Sequence, residues 1–342
     1  MSLPFWNQQA QDRLAQSHAM IVGCGALGCP SADLLARAGV GKLTLIDRDL
    51  VECSNLHRQI LFANQDAVDQ VPKAVAAKRR LQSVNPEIEI EAVVADFNAY
   101  DAEHMIMHSR FGKPDVILDG TDNFETRFLI NDLSVMHTIP YVYGGAISTK
   151  GMAAVFVPTK TPCLRCLMST PPSAGSQPTC ETAGVFAPVS AIIGAYQASE
   201  TLKLLIGADD RVMSSLLEFD LWEGQRRRMK LAALKDPQCP CCVDRDFAYL
   251  DREDEETQSI CGREAIQINP ISKSPIAIDA LFEALCSQGQ FVQSAFMIKG
   301  TLDERVNDQQ IGLTVFRDGR AIFDGIDEPA IARSLYARYI GS

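Results

Sequence analysis

The sequence lacks a long, uninterrupted apolar run of the kind that crosses a membrane. Its most apolar helical stretch, Val185 to Ile206, contains Pro188, Glu200 and Lys203, so it predicts a core helix and no membrane span. The N-terminus also shows no basic segment followed by an apolar core, so no secretory signal is expected. We therefore predict a cytoplasmic protein that does not associate with membranes.

Excess positive charge is absent as well. The chain has 32 Lys and Arg against 43 Asp and Glu, a net charge of −11, which argues against a nucleic-acid-binding protein. Its 342 residues suffice for one large and one small domain, and 46% hydrophobic content is ordinary for a globular protein. The 11 cysteines are many, but a disulfide framework belongs to small secreted chains.

The chain is organised around a strand, a glycine-rich turn, a helix and a second strand. An apolar strand, Ala19 to Val22, leads into Gly23-Cys24-Gly25-Ala26-Leu27-Gly28; a helical pattern over Ser31 to Ala38 and a strand over Leu43 to Ile46 follow, ending at Asp47. Glycines let the backbone approach phosphates, and the helix start offers unpaired N–H groups to an anion. An acid at the end of the second strand is placed to hold ribose hydroxyls, unless Asp47 is merely a turn residue. Alone, this fingerprint fits NAD, FAD or ATP.

Polar and cationic residues that follow the second strand favour a triphosphate. They are Asn55, Arg58, Gln59 and Lys73. A leaving pyrophosphate must be stabilised as it departs, and arginine binds phosphate oxygens in pairs, although a single Arg or Lys is more often a surface residue. Asp122 comes just after a buried strand. Its carboxylate suits Mg²⁺ held against phosphates, or it caps a helix that starts near Glu125.

The cysteines suggest a metal site and a nucleophile. Cys163 and Cys166 form one Cys-x-x-Cys pair, and Cys239 and Cys242 form a second. Four thiolates suit a closed tetrahedral zinc site; Cys241 leaves the second pair ambiguous, and spacing favours Cys242. Cys180, in a small polar loop shortly before a helix, is a candidate nucleophile because a helix dipole favours a thiolate, although lone cysteines are more often inert.

Strands that alternate with helices up to about residue 150 predict a Rossmann-like α/β fold with a mostly parallel sheet and helices on both faces. Beyond it we expect an antiparallel extension. The predicted domains are 1–243 for the nucleotide, an acidic linker over 244–259, and a small C-terminal α/β domain over 260–342. In that last domain the predicted strands and helices are Ala265–Ile268, Ile278–Ser287, Val292–Ile298, Gly312–Phe316, Ala321–Asp324 and Pro329–Tyr339.

Taken together, these motifs resemble the ThiF/MoeB/HesA branch of the ubiquitin-activating-enzyme superfamily. The resemblance covers about residues 10 to 243 and rests on the glycine turn, Asp47 to Gln59, Pro72-Lys73, Asp119 to Asn123, the two cysteine pairs, and Cys180-x-x-Ala183-Gly184. It implies ATP-dependent adenylation of the C-terminal glycine of a small ubiquitin-like sulfur carrier, with release of pyrophosphate. The tail from residue 260 looks like the extra domain of longer members.

The resemblance also implies a role for each site residue. Arg58 and Lys73 would stabilise the phosphates together with Mg²⁺, which Asp122 would hold. Asp47 would bind the ribose, and Asn55 and Gln59 would position phosphate. Cys180 would join the activated carrier covalently, as in ThiF-like members, whereas the matching cysteine is dispensable in MoeB-like members. A homodimer is expected on the same ground.

One feature departs from the family pattern. Members usually begin with an Arg-Tyr-x-Arg-Gln motif whose arginine reaches the neighbouring subunit's ATP. Here the matching region starts at Phe5-Trp6-Asn7-Gln8-Gln9 and has no such arginine. Arg13 is the nearest candidate, but it lies too far along the chain to be assigned.

Several readings remain open on the sequence alone. The carrier can belong to thiamine or to molybdopterin synthesis, or the substrate can be another carrier or a peptide. A non-catalytic superfamily scaffold is a further alternative, motivated by the missing arginine. A nicotinamide-dependent oxidoreductase is a third, but it leaves the cysteine pairs and Lys73 unexplained.

Overall fold

The computed structural model describes residues 6–172, 183–251, 257–259, 265–269, 276–306 and 309–341. Cys180, the predicted nucleophile, lies outside the described residues. Contacts divide the chain into two compact units, Met1–Glu253 and Asp254–Ser342. No helix in the described ranges is long and apolar enough to cross a bilayer.

The first unit contains an eight-stranded sheet. Its strands are β1 (His18–Val22), β2 (Lys42–Ile46), β3 (Glu89–Val93), β4 (Val116–Asp119), β5 (Tyr141–Ile147), β6 (Lys150–Phe156), β7 (Ser215–Asp220) and β8 (Gln225–Lys230). The order across the sheet is β3-β2-β1-β4-β5-β6-β7-β8. Neighbours from β3 to β5 are parallel, and those from β5 to β8 are antiparallel. The predicted parallel sheet with an antiparallel extension is confirmed.

Helices cover both faces of this sheet. They are α1 (Gln8–Gln16), α2 (Gly28–Ala38), α3 (Asn64–Val68), α4 (Lys73–Val84), α5 (Ala99–Met107), α6 (Phe124–His137), α7 (Leu164–Leu167) and α8 (Ala187–Ile206). Apolar residues of α5 and α6 pack with Met20 and Ile117 in one core. On the other face, Val189 and Ile193 of α8 pack against Leu217. The apolar stretch that ends at Ile206 is therefore a core helix, as its sequence predicts.

In its described ranges, the second unit is a six-stranded antiparallel sheet with two helices. Its strands are β9 (Thr257–Ser259), β10 (Ala265–Ile268), β11 (Gly289–Gln293), β12 (Met297–Val306), β13 (Gln309–Phe316) and β14 (Ala321–Asp324), in the order β11-β12-β13-β14-β10-β9. The helices are α9 (Ile278–Cys286) and α10 (Pro329–Tyr339). Buried side chains of strands and helices, among them Ile266, Leu285 and Leu335, form one core.

One predicted strand of the second unit is wrong. The stretch Val292–Ile298 is the end of β11, a turn and the start of β12. The turn is closed by the Ser294 N–H, which donates to the Met297 carbonyl at 2.9 Å. No glycine or proline marks it, and apolar residues continue through it, so the pattern resembles a single strand.

Two glycines shape the turn between β1 and α2. Gly23 has φ +90°, a backbone conformation that side chains disfavour. A Cβ at Gly28 would lie 1.9 Å from the Gly23 carbonyl oxygen, whereas a Cβ at Gly25 would meet its nearest atoms only at 3.9 Å. The turn is therefore closed by backbone packing at Gly23 and Gly28, and it is open at Gly25.

These contacts predict different effects of alanine within one turn. Gly28→Ala forces the turn and α2 apart, so we expect it to lower the free energy of unfolding by about 3 kcal/mol or more. Gly25→Ala adds a methyl group in ordinary contact and is expected to cost about 1 kcal/mol or less. Urea unfolding of both variants measures the difference, and equal stability of the two would contradict this packing.

Candidate functional site

Three parts of the predicted nucleotide site lie at the carboxyl ends of the parallel strands. The glycine turn follows β1, Asp47 follows β2, and the loop that carries Asp122 follows β4. Ligands of open parallel sheets bind at this edge. The topology thus places residues that are up to about a hundred positions apart around one region.

Asp47 holds the glycine turn. One of its carboxylate oxygens accepts a hydrogen bond from the Cys24 N–H at 2.6 Å, and the other accepts from the Asp49 N–H at 2.8 Å. Burial raises the pKa of Asp47, while the ammonium of Lys73 acts in the opposite direction. Each carboxylate oxygen has a second lone pair, which leaves acceptors for a ligand hydroxyl.

Lys73 is a buried cation among acids. It stands at the first residue of α4, its side chain is nearly inaccessible, and its Nζ donates to Asp49 at 2.8 Å. Burial acts to lower the pKa of Lys73, but the carboxylates of Asp49 and Asp47 outweigh burial and raise it above its ordinary value; Asp122 adds to this effect. Lys73 therefore carries its charge throughout the neutral range. Asp122 lies near enough for an electrostatic interaction with this charge.

Asn55 links Arg58 to Gln59. Its Oδ1 accepts from Arg58 Nη2 at 3.0 Å and from Gln59 Nε2 at 3.1 Å. Gln59 is only 3% exposed, and its Oε1 has no hydrogen-bond partner among the described residues. A Cβ at Gly25 would lie 3.9 Å from Gln59 Nε2. The three polar side chains thus form one connected group beside the open part of the glycine turn.

Asp122 is available to a ligand. Its side chain is exposed, and within the described ranges the structure gives it no hydrogen bond or ion pair. The alternative role as a helix cap is wrong, because Asn123 caps α6 and its side chain accepts from the Thr126 N–H at 2.8 Å. The helix begins at Phe124, one residue before the predicted start near Glu125.

A buried network that the sequence does not reveal supports the Asp122 loop. Asp119 is fully buried and accepts from Tyr141 Oη at 2.9 Å and from the Thr121 hydroxyl at 2.7 Å. Arg127 Nε lies 3.3 Å from the Asp119 carboxylate, and Nη2 donates to the carbonyls of Thr121 and Gly144 at 2.9 and 3.2 Å. Burial raises the pKa of Asp119, against the effect of Arg127. The loop is thereby fastened to β5.

Gln197 of α8 ties the same strands from the other face. Its Nε2 donates to the carbonyls of Asp119 and Val142 at 2.7 and 3.2 Å. Its Oε1 accepts from the Ser31 hydroxyl at 3.1 Å. In the sequence, Gln197 and Arg127 are recognisable only as long polar residues at positions of an apolar helix that face the core.

Four of the cysteines form a compact cluster. The Sγ atoms of Cys163, Cys166, Cys239 and Cys242 all lie within 4.8 Å of one another. Cys163 and Cys239 are 3.6 Å apart, and Cys166 and Cys242 are 3.5 Å apart. Thiolates around a tetrahedral zinc lie about 3.8 Å apart, given Zn–S bonds of about 2.3 Å, so the cluster fits such an ion.

Cys241 lies beside this cluster and contacts Cys163. Its Sγ accepts from Asn131 Nδ2 at 3.3 Å, and it does not belong to the four-thiol cluster. Asn131 Oδ1 also accepts a hydrogen bond from the Leu164 N–H at 2.7 Å. Asn131 therefore anchors both cysteine segments to α6, and the spacing argument that favours Cys242 over Cys241 agrees with the geometry.

Arg13 lies away from this edge. Its Nη1 donates to the Ile206 carbonyl at 2.8 Å, at the last residue of α8, where a cation is favoured by the helix dipole. Together with Asp115 and Pro140, which precede β4 and β5, it lines a cavity of about 510 Å³. This cavity is at the amino ends of the strands, opposite the glycine turn.

Comparison with known proteins decides the family. The ThiF family profile matches residues 1–241. The chain belongs to the ThiF family. The Sulfur carrier protein ThiS adenylyltransferase of Bacillus subtilis is 38% identical over 335 residues, which are 97% of this chain and 95% of that one. The Sulfur carrier protein adenylyltransferase of Thermus thermophilus is 37% identical, over 77% of this chain and 94% of its own.

Solved structures agree on the fold. Escherichia coli MccB with ATP has a TM-score of 0.59 at 23% identity, covering 68% of this chain and 69% of MccB. The family match and the two relatives confirm the resemblance to the ThiF/MoeB/HesA branch. The match to the Bacillus relative covers 97% of this ThiF-family chain and so extends over both units. The match to the Thermus relative covers 77% of this chain, although it includes 94% of that relative.

The buried network yields a stability prediction. Tyr141→Phe removes a donor from the buried Asp119 carboxylate, so we expect it to lower the free energy of unfolding by about 1–2 kcal/mol. Tyr143→Phe is the matched control on the same strand, because the Tyr143 hydroxyl has no hydrogen bond with a described residue; its cost should stay below about 0.5 kcal/mol. Denaturant titration gives both values, and equal losses would refute the role of Tyr141.

Proposed function

We propose that this ThiF-family protein adenylates the C-terminal glycine carboxylate of a small ubiquitin-like sulfur carrier. One observation carries the proposal: two cations, Arg58 and Lys73, lie around a glycine turn at the ligand-binding edge of the sheet, together with Asp122, an acid without a partner among the described residues. A dinucleotide does not require this combination. The relatives named sulfur carrier adenylyltransferases support the choice of substrate.

ATP would bind across the glycine turn. The open side of the turn at Gly25 leaves room for phosphates, next to the first turn of α2, whose N–H groups favour an anion. Asp47, whose carboxylate faces the same turn, would accept hydrogen bonds from the ribose hydroxyls. Arg58, with Asn55 and Gln59 beside it, would contact phosphate oxygens.

The chemistry is an in-line displacement on the α-phosphorus. An oxygen of the carrier's carboxylate forms a bond to this phosphorus, and the bond to the bridging oxygen between the α- and β-phosphates breaks. Pyrophosphate leaves with the electron pair of that bond. Because negative charge grows on the leaving group, Arg58 and the permanently charged Lys73 would stabilise it. The product is an acyl-adenylate, a much better electrophile than the carboxylate.

Asp122 fits the role of a magnesium ligand. Mg²⁺ is usually held by one or two carboxylates together with substrate phosphates, and Asp122 is an exposed carboxylate without a described partner. When bound, the ion supplies charge neutralisation for the triphosphate. The buried Asp119–Arg127 network would hold the Asp122 backbone in place during the reaction.

The four-cysteine cluster would bind one structural zinc ion. Four thiolates leave no open coordination position, so we assign the ion no chemical step. The ion would join two cysteine pairs that are more than 70 residues apart in sequence. It would thereby fasten residues 231–251 onto the sheet.

The remaining assignments stay predictions. They are a homodimer, a cytoplasmic location, covalent attachment of the carrier at Cys180, and the division of the chain into domains at 243 and 260. The carrier is ThiS-like or MoaD-like, for thiamine or molybdopterin synthesis. Both carriers would use the same nucleotide site, because that site would contact the phosphates and the ribose of ATP.

Carrier-dependent exchange between ATP and labelled pyrophosphate tests the function. We expect exchange only when a carrier that ends in Gly-Gly is present, because pyrophosphate is released only as the acyl-adenylate forms. Asp122→Ala should reduce the exchange rate at least about 100-fold, since it removes the carboxylate that would hold Mg²⁺. Asp210→Ala is the control: it removes an exposed acid far along the chain and should leave the rate unchanged.

Other outcomes would favour the alternatives. ATP binding without exchange, with ThiS-like and MoaD-like carriers alike, would indicate a scaffold. Exchange supported by a short peptide and by neither carrier would indicate a different substrate. Tight binding of NAD in place of ATP would indicate an oxidoreductase.

The zinc assignment is tested by metal content. We expect about one zinc per chain in the purified protein, and none in Cys242→Ser. Loss of a structural ion worth about 3–4 kcal/mol should lower Tm by roughly 10 °C, at about 2–4 °C per kcal/mol. Cys241→Ser is the neighbouring control and should retain the metal. Zinc lost in Cys241→Ser but kept in Cys242→Ser would reverse the assignment.

A further inference from the structure

A fifth thiol lies against the four-cysteine cluster. Cys241 is fully buried, and its side chain contacts that of Cys163. The Cys163 sulfur also lies 3.6 Å from the Cys239 sulfur and 4.0 Å from that of Cys166. Four thiolates complete the coordination of a tetrahedral zinc ion, so the cluster has no position for a fifth ligand. Cys241 is therefore a metal-free thiol beside a proposed zinc ligand.

Contacts with helix α6 hold the Cys241 sulfur in place. It accepts a hydrogen bond from Asn131 Nδ2 at 3.3 Å and contacts the carboxylate of Asp132. Both side chains are buried, and Asp132 is itself held by the Tyr249 N–H, which donates to it at 3.1 Å. Buried polar groups are costly to leave without partners. The Cys241 sulfur therefore stays beside Cys163.

A small cavity leads to the cluster. Its volume is about 120 Å³, and both Cys163 and Cys242 line it. Exposed residues that also line it are Thr138, Thr159, Lys235, Val243 and Arg245. One water molecule needs only about 10–15 Å³ of such space, so hydrogen peroxide, a molecule with two oxygen atoms, fits. An oxidant of this size therefore has access to the Cys163 sulfur, although Cys163 itself is buried.

We propose that a peroxide oxidises Cys163 and that Cys241 then forms a disulfide with it, which opens the zinc site. This inference rests on the proposed zinc assignment and does not depend on adenylation. A second thiol beside an oxidisable cysteine converts a sulfenic acid into a disulfide. Because Cys241 is not a ligand, this disulfide removes one thiolate from the ion, whereas a disulfide between two ligands would remove two. The ion is then held by three thiolates and is easier to extract.

The oxidation proceeds in two steps that balance. The Cys163 thiolate sulfur forms a bond to one peroxide oxygen, the O–O bond breaks, and the other oxygen leaves as hydroxide with the electron pair of that bond. The Cys241 sulfur then attacks the sulfur of the Cys163 sulfenic acid. The S–O bond breaks, and its oxygen leaves as water together with the thiol proton. The two sulfur atoms lose two electrons in total, and the peroxide gains them.

Zinc release under hydrogen peroxide provides the first test. The full-length protein is treated with peroxide in the presence of pyridylazoresorcinol, a chromogenic zinc chelator. Cys241→Ser should release zinc at least about tenfold more slowly than the wild type, because a serine hydroxyl cannot form the disulfide. Cys241→Ala should behave like Cys241→Ser, and the zinc content of both reduced variants shows that the cluster has folded. Cys53→Ser is the control: it removes an exposed thiol outside the cluster and should release zinc at the wild-type rate.

Peptide mapping identifies the disulfide directly. Trypsin separates Cys163, in residues 161–165, from Cys166, and it leaves Cys241 in residues 236–245 together with Cys239 and Cys242. After oxidation and alkylation of the remaining thiols, we expect these two peptides to be joined through Cys241, with Cys239 and Cys242 alkylated. Fragmentation of the joined peptides shows which cysteine is linked.

Other results would overturn the inference in distinguishable ways. Zinc released at equal rates by the wild type and Cys241→Ser, or a disulfide that joins Cys163 to Cys239 or Cys166 to Cys242, would leave the zinc assignment standing and contradict the role of Cys241. A reduced protein without zinc would overturn the zinc assignment and this inference together. Slow release confined to the Cys241 variants, with the disulfide at Cys241 in the wild type, supports the inference.

Discussion

The candidate site depends on a close backbone contact between two turns. A Cβ at Gly120 would lie 2.2 Å from the Gly23 carbonyl oxygen, and the Gly120 N–H donates to the Val22 carbonyl at 2.7 Å. The turn after β1 and the turn after β4 are thereby pressed together. Because the first would bind phosphates and the second carries Asp122, their contact would fix the distance between the triphosphate and the Asp122 carboxylate. No side chain other than hydrogen fits at either position.

Buried charge then holds this arrangement on both sides. Lys73 is buried near the first turn, where it pairs with Asp49, and Asp119 and Arg127 are buried beneath the second. A buried ion pair contributes little net stability compared with apolar packing. Its value here is positional, since Arg127 donates to the Thr121 and Gly144 carbonyls and Asp119 accepts from the Thr121 N–H. At the first turn, Asp47 accepts from the Cys24 and Asp49 N–H groups. These charged side chains fasten the backbone of the two loops that would align a carboxylate with a phosphorus atom.

The sequence predicts the site better than it predicts the support of the site. Glycine turns, an acid after a strand and paired cysteines are local patterns with local physical causes, so Gly23, Asp47 and the four-cysteine cluster could be found by reading along the chain. Arg127 and Gln197 act across elements distant in sequence, and only the fold shows what they contact. The turn at Ser294 does not follow from the sequence, because it forms without glycine or proline. The helix cap at Asn123 does not follow either, because Asp and Asn both favour the cap position and Asp122 stands next to Asn123.

Adenylation of a carrier protein is the central proposal, and the acyl-adenylate of the carrier is its most direct evidence. The carrier is incubated with enzyme, ATP and Mg²⁺, and pyrophosphatase is added to remove pyrophosphate. Intact-mass spectrometry of the carrier then detects the acyl-adenylate without any inference from rates. The account predicts a carrier heavier by one adenylyl group, formed by the wild type and absent with Asp122→Ala. A carrier of unchanged mass, while ATP is bound by the enzyme, would contradict it.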